Sequence, residues 1–300
     1  MNYFQRLQLS IDFIEDNLIE DIALIEVAEK ANCSIFHFHR LFQAIVGNSI
    51  KEYIRKRRLT HAAKDLVETK KSIIDIAFDY QYGAPESFSR AFKKMYGKTP
   101  WDYRKEGIFI PLNEKADLLA INMEEVKRGM KMKPAIKEKD EFIVVGVELS
   151  TQHSSCQQDV PNFWRKYSQN HSLKRLGYLK NSSEILGLCF GNCNGKCGES
   201  SLSEILPKHE NQFNYLICSE VQNSDDVPEG FHIRKIPKAK YAVFTIKGGF
   251  QKIQKEVESI YKNWLSNTSY ELADSPHFEK YNDDWSDSED STMEIWIPIK

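Results

Sequence analysis

Residues 34–55 read SIFHFHRLFQAIVGNSIKEYIR and residues 84–105 read APESFSRAFKKMYGKTPWDYRK. At one offset of fifty, Phe38 meets Phe88, Arg40 meets Arg90, Phe42 meets Phe92, Gly47 meets Gly97 and Tyr53 meets Tyr103. Ile45 with Met95, and Ser49 with Thr99, keep their chemical character at the same offset. Such agreement in a chain free of low complexity marks two copies of one small structural unit. The first third of the chain must therefore fold as two like parts.

Periodicity says what each part is. Phe4, Leu7, Ile11, Ile14 and Leu18 recur at steps of three and four, which predicts a first amphipathic helix. Leu24, Val27, Ala28 and Ala31 give a short helix, Asn32-Cys33 a turn, and Ser34 an N-cap for a helix from Ile35 to about Val46. Gly47 stops that helix. In the second copy Ser72 and Asp75 form a capping-box-like start, and Ile73, Ile76, Ala77 and Tyr80 make the apolar stripe. Residues 81–84 are the turn, Pro85 takes the first helical position, and Gly97 ends a helix reaching about Tyr96. Helix, tight turn, capped helix is the helix-turn-helix arrangement. One helix from Ser49 to about Val67 joins the copies, roughly 28 Å long at 1.5 Å per residue. A turn of B-DNA advances about 34 Å, so two such units can face successive major grooves.

The faces sort by chemistry. Phe38, Leu41, Phe42 and Ile45, then Phe88, Ala91, Phe92 and Met95, recur at core spacing. The opposite faces carry Ile35, Phe36, His39, Arg40 and Gln43, then Pro85, Glu86, Ser89, Arg90, Lys93 and Lys94. Arginine can fork onto guanine O6/N7, His and Ser can donate to base edges, and Phe can press on a thymine methyl. Lys93, Lys94, Arg55, Lys56, Arg57 and Arg58 are candidates for phosphate contact, which gives affinity without sequence reading. Charge agrees. Residues 51–105 hold 14 Lys/Arg against 7 Asp/Glu, whereas residues 108–300 hold 24 against 28. A basic segment in a chain of net charge −2 points to an anionic partner for that segment.

Residues 1–107 resemble the AraC/XylS-type DNA-binding domain. The resemblance is carried by Ala28, Ser34, Arg40, Phe42, Gly47, Tyr53, Arg58-Leu59, Ala63, Ile73, Ile76-Ala77, Ser87-Phe88, Arg90, Phe92-Lys93, Gly97, Pro100 and Tyr103-Arg104. It implies that Phe36, His39, Arg40, Glu86, Ser89 and Arg90 face DNA bases. The second turn departs from the family, with Gln81 where Gly is usual and Ala84 where a hydroxyl cap is usual.

After Arg104 the pattern changes. Gly107, Pro111, Gly129 and Pro134 punctuate residues 108–139, which read as a linker with a short helix near 113–121. From 140 onward strands dominate: 142–149, 184–191, 213–221, a pair around Pro237, 277–281 and 293–300. Helices are expected at 160–170 and from Gln251 to Leu265, giving β-α-β-β twice in α+β layers. In the last strand, period two puts Met293, Ile295, Ile297 and Ile299 on one face and Glu294 with Trp296 on the other. A carboxylate beside an indole can hold a cationic or lipophilic ligand, with Trp164 and Tyr215 as further walls. Residues 140–300 resemble the GyrI-like effector-binding domain through VPNFW, IPKAKYAVFTIKGG, IYKNWL, FEKY and EIWIPIK. That resemblance implies a small-molecule groove between two pseudo-symmetric halves, with an acidic residue near its centre that Glu294 matches.

The expected molecule is multidomain: an all-α N-terminal domain with two helix-turn-helix units joined by a long helix, then an α+β domain of duplicated β-α-β-β units. Its expected partners are double-stranded promoter DNA, a small-molecule effector and, by family habit, RNA polymerase, with activation favoured over repression. Neither a catalytic triad nor a phosphate loop is present, and no cofactor is expected. No apolar run approaches the roughly 18 residues of a membrane span, and the N-terminus reads as amphipathic, so a cytoplasmic protein is expected. Two rival readings stand beside this one. Glu294 could serve as the general base of a small-molecule hydrolase. Cys189, Cys193 and Cys197 could sense thiols or metal, although their spacing lacks the paired knuckles of a zinc site.

Overall fold

The computed structural model describes residues 1–120, 133–152, 155–170, 184–190, 212–222, 227, 229–282 and 285–300. The chain forms two compact units, Met1–Asn32 with Val46–Ile121 and Cys33–Ile45 with Asn122–Lys300.

In the first unit the helices are α1 (Tyr3–Asp16), α2 (Leu24–Lys30), α4 (Ile50–Glu68), α5 (Ile73–Asp79), α6 (Pro85–Tyr96) and α7 (Pro100–Glu106). Each boundary has a local cause. Asn2 and Gln5 form a capping box on α1, and Ser49, Ser72 and Thr99 accept the N–H of the third helical residue of α4, α5 and α7. Pro85 and Pro100 occupy first-turn positions, and Gly97 and Gly107 close α6 and α7 with left-handed φ of 74° and 68°. Both helix-turn-helix turns also need one left-handed residue, Asn32 at φ 51° and Gln81 at φ 63°. Asn tolerates that region locally; Gln does so at a cost, which is why glycine suits the second position.

The core of the second copy gathers Leu59, Ala62, Ala63 and Leu66 of α4, Ile76, Ala77 and Tyr80, Phe88 and Phe92 of α6, and Tyr103. Two of the arginines expected at phosphates belong to the scaffold instead. Arg57 is buried and pairs with Glu15 at 2.7 Å, and Arg58 donates to the carbonyls of Leu18 (2.8 Å) and Glu20 (2.6 Å), the places where an amphipathic bundle needs its loose ends tied. The short helix expected near 113–121 does not form over residues 113–120. Leu118 is buried there and its N–H donates to Gln8 Oε1 at 2.8 Å, so a long-range bond replaces a local one.

The second unit contains α3 (Ile35–Val46, as far as Ile45) and a single antiparallel sheet. Its strands are β1 (Ala135–Lys139), β2 (Phe142–Gln152), β3 (Glu184–Phe190), β4 (Gln212–Val221), β5 (His232–Ile236), β6 (Ala239–Lys247), β7 (His277–Asn282) and β8 (Thr292–Ile299). Helix α8 (Cys156–Asn170) precedes β3, and α9 (Phe250–Ser259) continues through a π turn at Ile260–Trp264. The order β1-β6-β8-β7-β3-β4-β2-β5 is a palindrome of the two β-α-β-β units, which meet where β3 pairs β7. Strands β5 and β6 are not partners across Pro237 as expected; β5 pairs β2 at one edge and β6 lies between β1 and β8. Edge strand β1 escapes sequence reading because AIKEK is short, charged and largely exposed.

Candidate functional site

Direct pairing places side chains on one face of a sheet or the other. Leu149 faces Tyr215, Tyr215 faces Cys189, Cys189 faces His277, Gly187 faces Glu279, and Glu279 faces Ile295. These residues and Tyr281 share the first face. The second face holds a core of Phe142, Leu188, Leu216, Tyr241, Phe278 and Trp296 among others. Phe142 and Phe278 touch at 5.9 Å although β3 and β4 lie between their strands, so the sheet curls strongly around this core.

On the first face stands a closed hydrogen-bond chain. Trp164 Nε1 of α8 donates to the Tyr215 hydroxyl at 2.8 Å, and that hydroxyl donates to Glu279 Oε2 at 2.7 Å. Tyr281 donates to the same oxygen at 2.9 Å. Burial pushes the Glu279 carboxyl above its ordinary range, against the two phenols and the charge of Arg40, which pull it down. Burial also pushes both phenols well up, so they stay protonated and keep donating. Gly187 makes the arrangement possible: a Cβ there would overlap the Tyr215 hydroxyl and crowd Glu279.

Trp164 and Tyr281 pack at 4.6 Å and continue into Trp285, 4.8 Å from Tyr281, and Phe250, 4.8 Å from Trp285. These rings wall a cavity of about 320 Å³ that Pro161 and Asp287 also line. Glu279 does not line this cavity but is reached through Tyr281, which does, and a carboxylate close behind aromatic rings can bind a bulky organic cation through charge and ring faces.

The four residues expected at a ligand thus separate. Trp164 and Tyr215 are hydrogen-bonded on the first face, but Glu294 and Trp296 lie on the second. Trp296 is buried and stacked on Phe278 at 5.1 Å; Glu294 accepts from Trp296 Nε1 at 2.9 Å and pairs with Lys137 at 3.2 Å. Period two on β8 put the pair on one face, yet the sequence held no sign of which face the helices cover. Glu279 carries little signal in the sequence because HFEKY reads as one more charged strand; its alternation with His277 and Tyr281 is the available sign.

The basic copy is laid out differently. On α6 only Phe88 and Phe92 are buried, while Glu86, Arg90, Lys93 and Lys94 are exposed and Ser89 partly so. On α3, Phe36 and His39 are buried and Arg40 and Gln43 partly buried. Of the cysteines, Cys189 is buried, and burial pushes its thiol up, which opposes reactivity; Cys193 and Cys197 lie outside the described residues. Among the described residues no cluster of His, Cys, Asp or Glu could hold a metal ion, and no helix is long and apolar enough to cross a membrane.

Duplicated helix-turn-helix elements, the second with an outward basic face, followed by a duplicated sheet, define an AraC-type DNA-binding domain joined to an effector-binding domain. Residues 27–106 match the helix-turn-helix domain family. Residues 135–299 match the integron-associated effector binding protein family, and the chain belongs to it. The HTH-type transcriptional regulator YbfP of Bacillus subtilis is 46% identical over 104 residues, 35% of this chain and 35% of YbfP. The HTH-type transcriptional activator AarP of Providencia stuartii is 40% identical over 92 residues, 31% of this chain and 68% of AarP. The solved structure of SAV2435 bound to tetraphenylphosphonium is 22% identical, with a TM-score of 0.45, and covers 56% of this chain and 94% of that one. The named relatives are regulators of transcription, and the chain spans about a third of the length of YbfP.

Proposed function

We propose that the chain regulates transcription by binding promoter DNA through its helix-turn-helix units, under the control of an organic cation held at Glu279. The observation that carries this reading is the part-buried carboxylate that accepts from Tyr215 and from Tyr281, the latter a wall of the aromatic cavity. Neutral hydrogen bonds orient the carboxylate without cancelling its charge, so a desolvated cation gains more there than in water. On the DNA side, Phe36, His39, Arg40, Gln43, Glu86, Ser89 and Arg90 are assigned to base edges and Lys93 with Lys94 to phosphates. Activation, through contact with RNA polymerase, is favoured because AarP is named an activator, and a cytoplasmic location follows from that role.

Tetraphenylphosphonium, a bulky aromatic cation, is the probe for the ligand site. Calorimetric titration of the full chain should show binding that Glu279→Gln weakens at least about tenfold, or about 1.4 kcal/mol. Equal affinity in the two proteins would place the cation elsewhere. Selection of duplexes from a random pool tests the DNA side: Arg90→Ala should cost about 1–3 kcal/mol on the selected site and far less on a scrambled one.

A further inference from the structure

The two copies of the repeat are alike in sequence and unlike in burial. Helix α6 buries two of its twelve residues; α3, the same length, buries nine, among them Phe36, His37 and His39. The face of α3 that carries the residues assigned to DNA lies on the first face of the sheet. The Phe36 ring is 6.0 Å from Phe213 and 5.6 Å from His277. Arg40 stacks over Phe36 at 5.1 Å and extends Nη2 to within 3.3 Å of Cys189 Sγ. Its charge is felt by Glu279, Cys189, Tyr261 and Cys156, which come from β7, β3, the end of α9 and the start of α8.

We propose that α3 is an internal plug of the effector site, its Arg40 guanidinium standing in for the cationic ligand, so that DNA reading by α3 and ligand binding at Glu279 are coupled by displacement. The proposal rests on the ligand reading given above. Three features support it. A guanidinium has the charge and flat apolar faces that the site selects for. Phe36 and His39, once buried, cannot reach a base edge. The docked state is also imperfect: among the described residues neither ring nitrogen of the fully buried His277 has a hydrogen-bond partner, and Arg40 donates to a neutral thiol where a carboxylate would serve better. Unpaired buried polar groups of this kind cost free energy, so α3 sits in a well shallow enough for a ligand to empty. An incoming cation that takes Glu279 removes the electrostatic reason for Arg40 to stay and frees the α3 side chains for DNA.

Hydrogen exchange on the full-length chain tests this, read by mass spectrometry of peptides from α3 and α6. Without ligand, α3 amides should exchange at least about tenfold more slowly than those of α6. Saturation with tetraphenylphosphonium should raise α3 exchange about tenfold or more and leave α6 unchanged. Glu279→Gln, checked for folding by circular dichroism, should raise it without ligand. Exchange of α3 as fast as α6 in the unliganded chain overturns the plug whether or not the probe binds. Binding of the probe with α3 still protected also overturns it, while leaving the ligand site standing. Failure of the probe to bind, with α3 protected and then released by Glu279→Gln, removes the cation reading and keeps the plug.

Discussion

Tyr215 donates a hydrogen bond to Glu279 while accepting one from Trp164, so a single phenol links α8, β4 and β7 across the junction of the duplicated halves. The bond crosses β3, the strand between them, and does so only because residue 187 has no side chain. Orientation of the carboxylate therefore depends on both halves of the repeat.

Replacing Tyr215 with Phe removes one donor from Glu279 and leaves the Trp164 N–H without its acceptor. Loss of a bond that lowers the carboxyl pKa pushes that group further up, which favours its protonated form. Affinity for tetraphenylphosphonium should fall about tenfold, equivalent to about 1.4 kcal/mol, and the loss should deepen as pH is lowered. A pH-independent loss would mean that Tyr215 acts by shape alone.

Gly187→Ala forces a methyl group into the Tyr215 hydroxyl. The sheet is paired on both sides of β3, so the backbone has little room to yield. Thermal or urea unfolding of the second unit should show a loss of about 1–3 kcal/mol, with cation binding impaired even below the transition. Unchanged stability together with full binding would contradict the described packing.

Glu15 governs the acid limb of the first unit. Burial works to raise its pKa, but hydrogen bonds from His61, Arg57 and Tyr53 hold it down at about 2. A carboxyl depressed below its unfolded value near 4.3 adds stability that is complete above that pH and is lost as pH falls toward 2. After allowance for partial exposure, Glu15→Gln should cost about 2 kcal/mol at pH 7 and flatten the dependence of the urea midpoint between about pH 4.5 and 2.

Lys93 and Lys94 are exposed in the last turn of α6. Replacing both with Ala should weaken binding similarly on selected and scrambled duplexes. It should also lower the slope of log affinity against log salt by about 1–2. A loss confined to the selected duplex would show that one of them reads a base.

Much of the architecture was legible from single residues. Ser49 and Ser72 announce helix starts, Gly97 announces a stop, and the fifty-residue offset announces the duplication, because capping and left-handed closure are local chemistry. Strands β2, β4 and β8 were readable from alternation and apolar runs. Arg57 and Glu15, by contrast, were unreadable as a pair: they lie 42 residues apart, and a buried Arg looks in sequence like any other in a basic helix. The same holds for β5 and β6, neighbours in the chain that the curled sheet sends to different partners.

The sequence by itself determined the helix-turn-helix repeat, the β-α-β-β duplication and the chemical kinds of residue available to each face, since periodicity and caps act over a few residues. Only the tertiary structure decided that Glu279, not Glu294, stands with Trp164 and Tyr215, and that α3 is covered where α6 is open. Which face of a sheet meets a helix, and which cation meets which carboxylate, follow from burial summed over the whole chain. No window of sequence contains that sum.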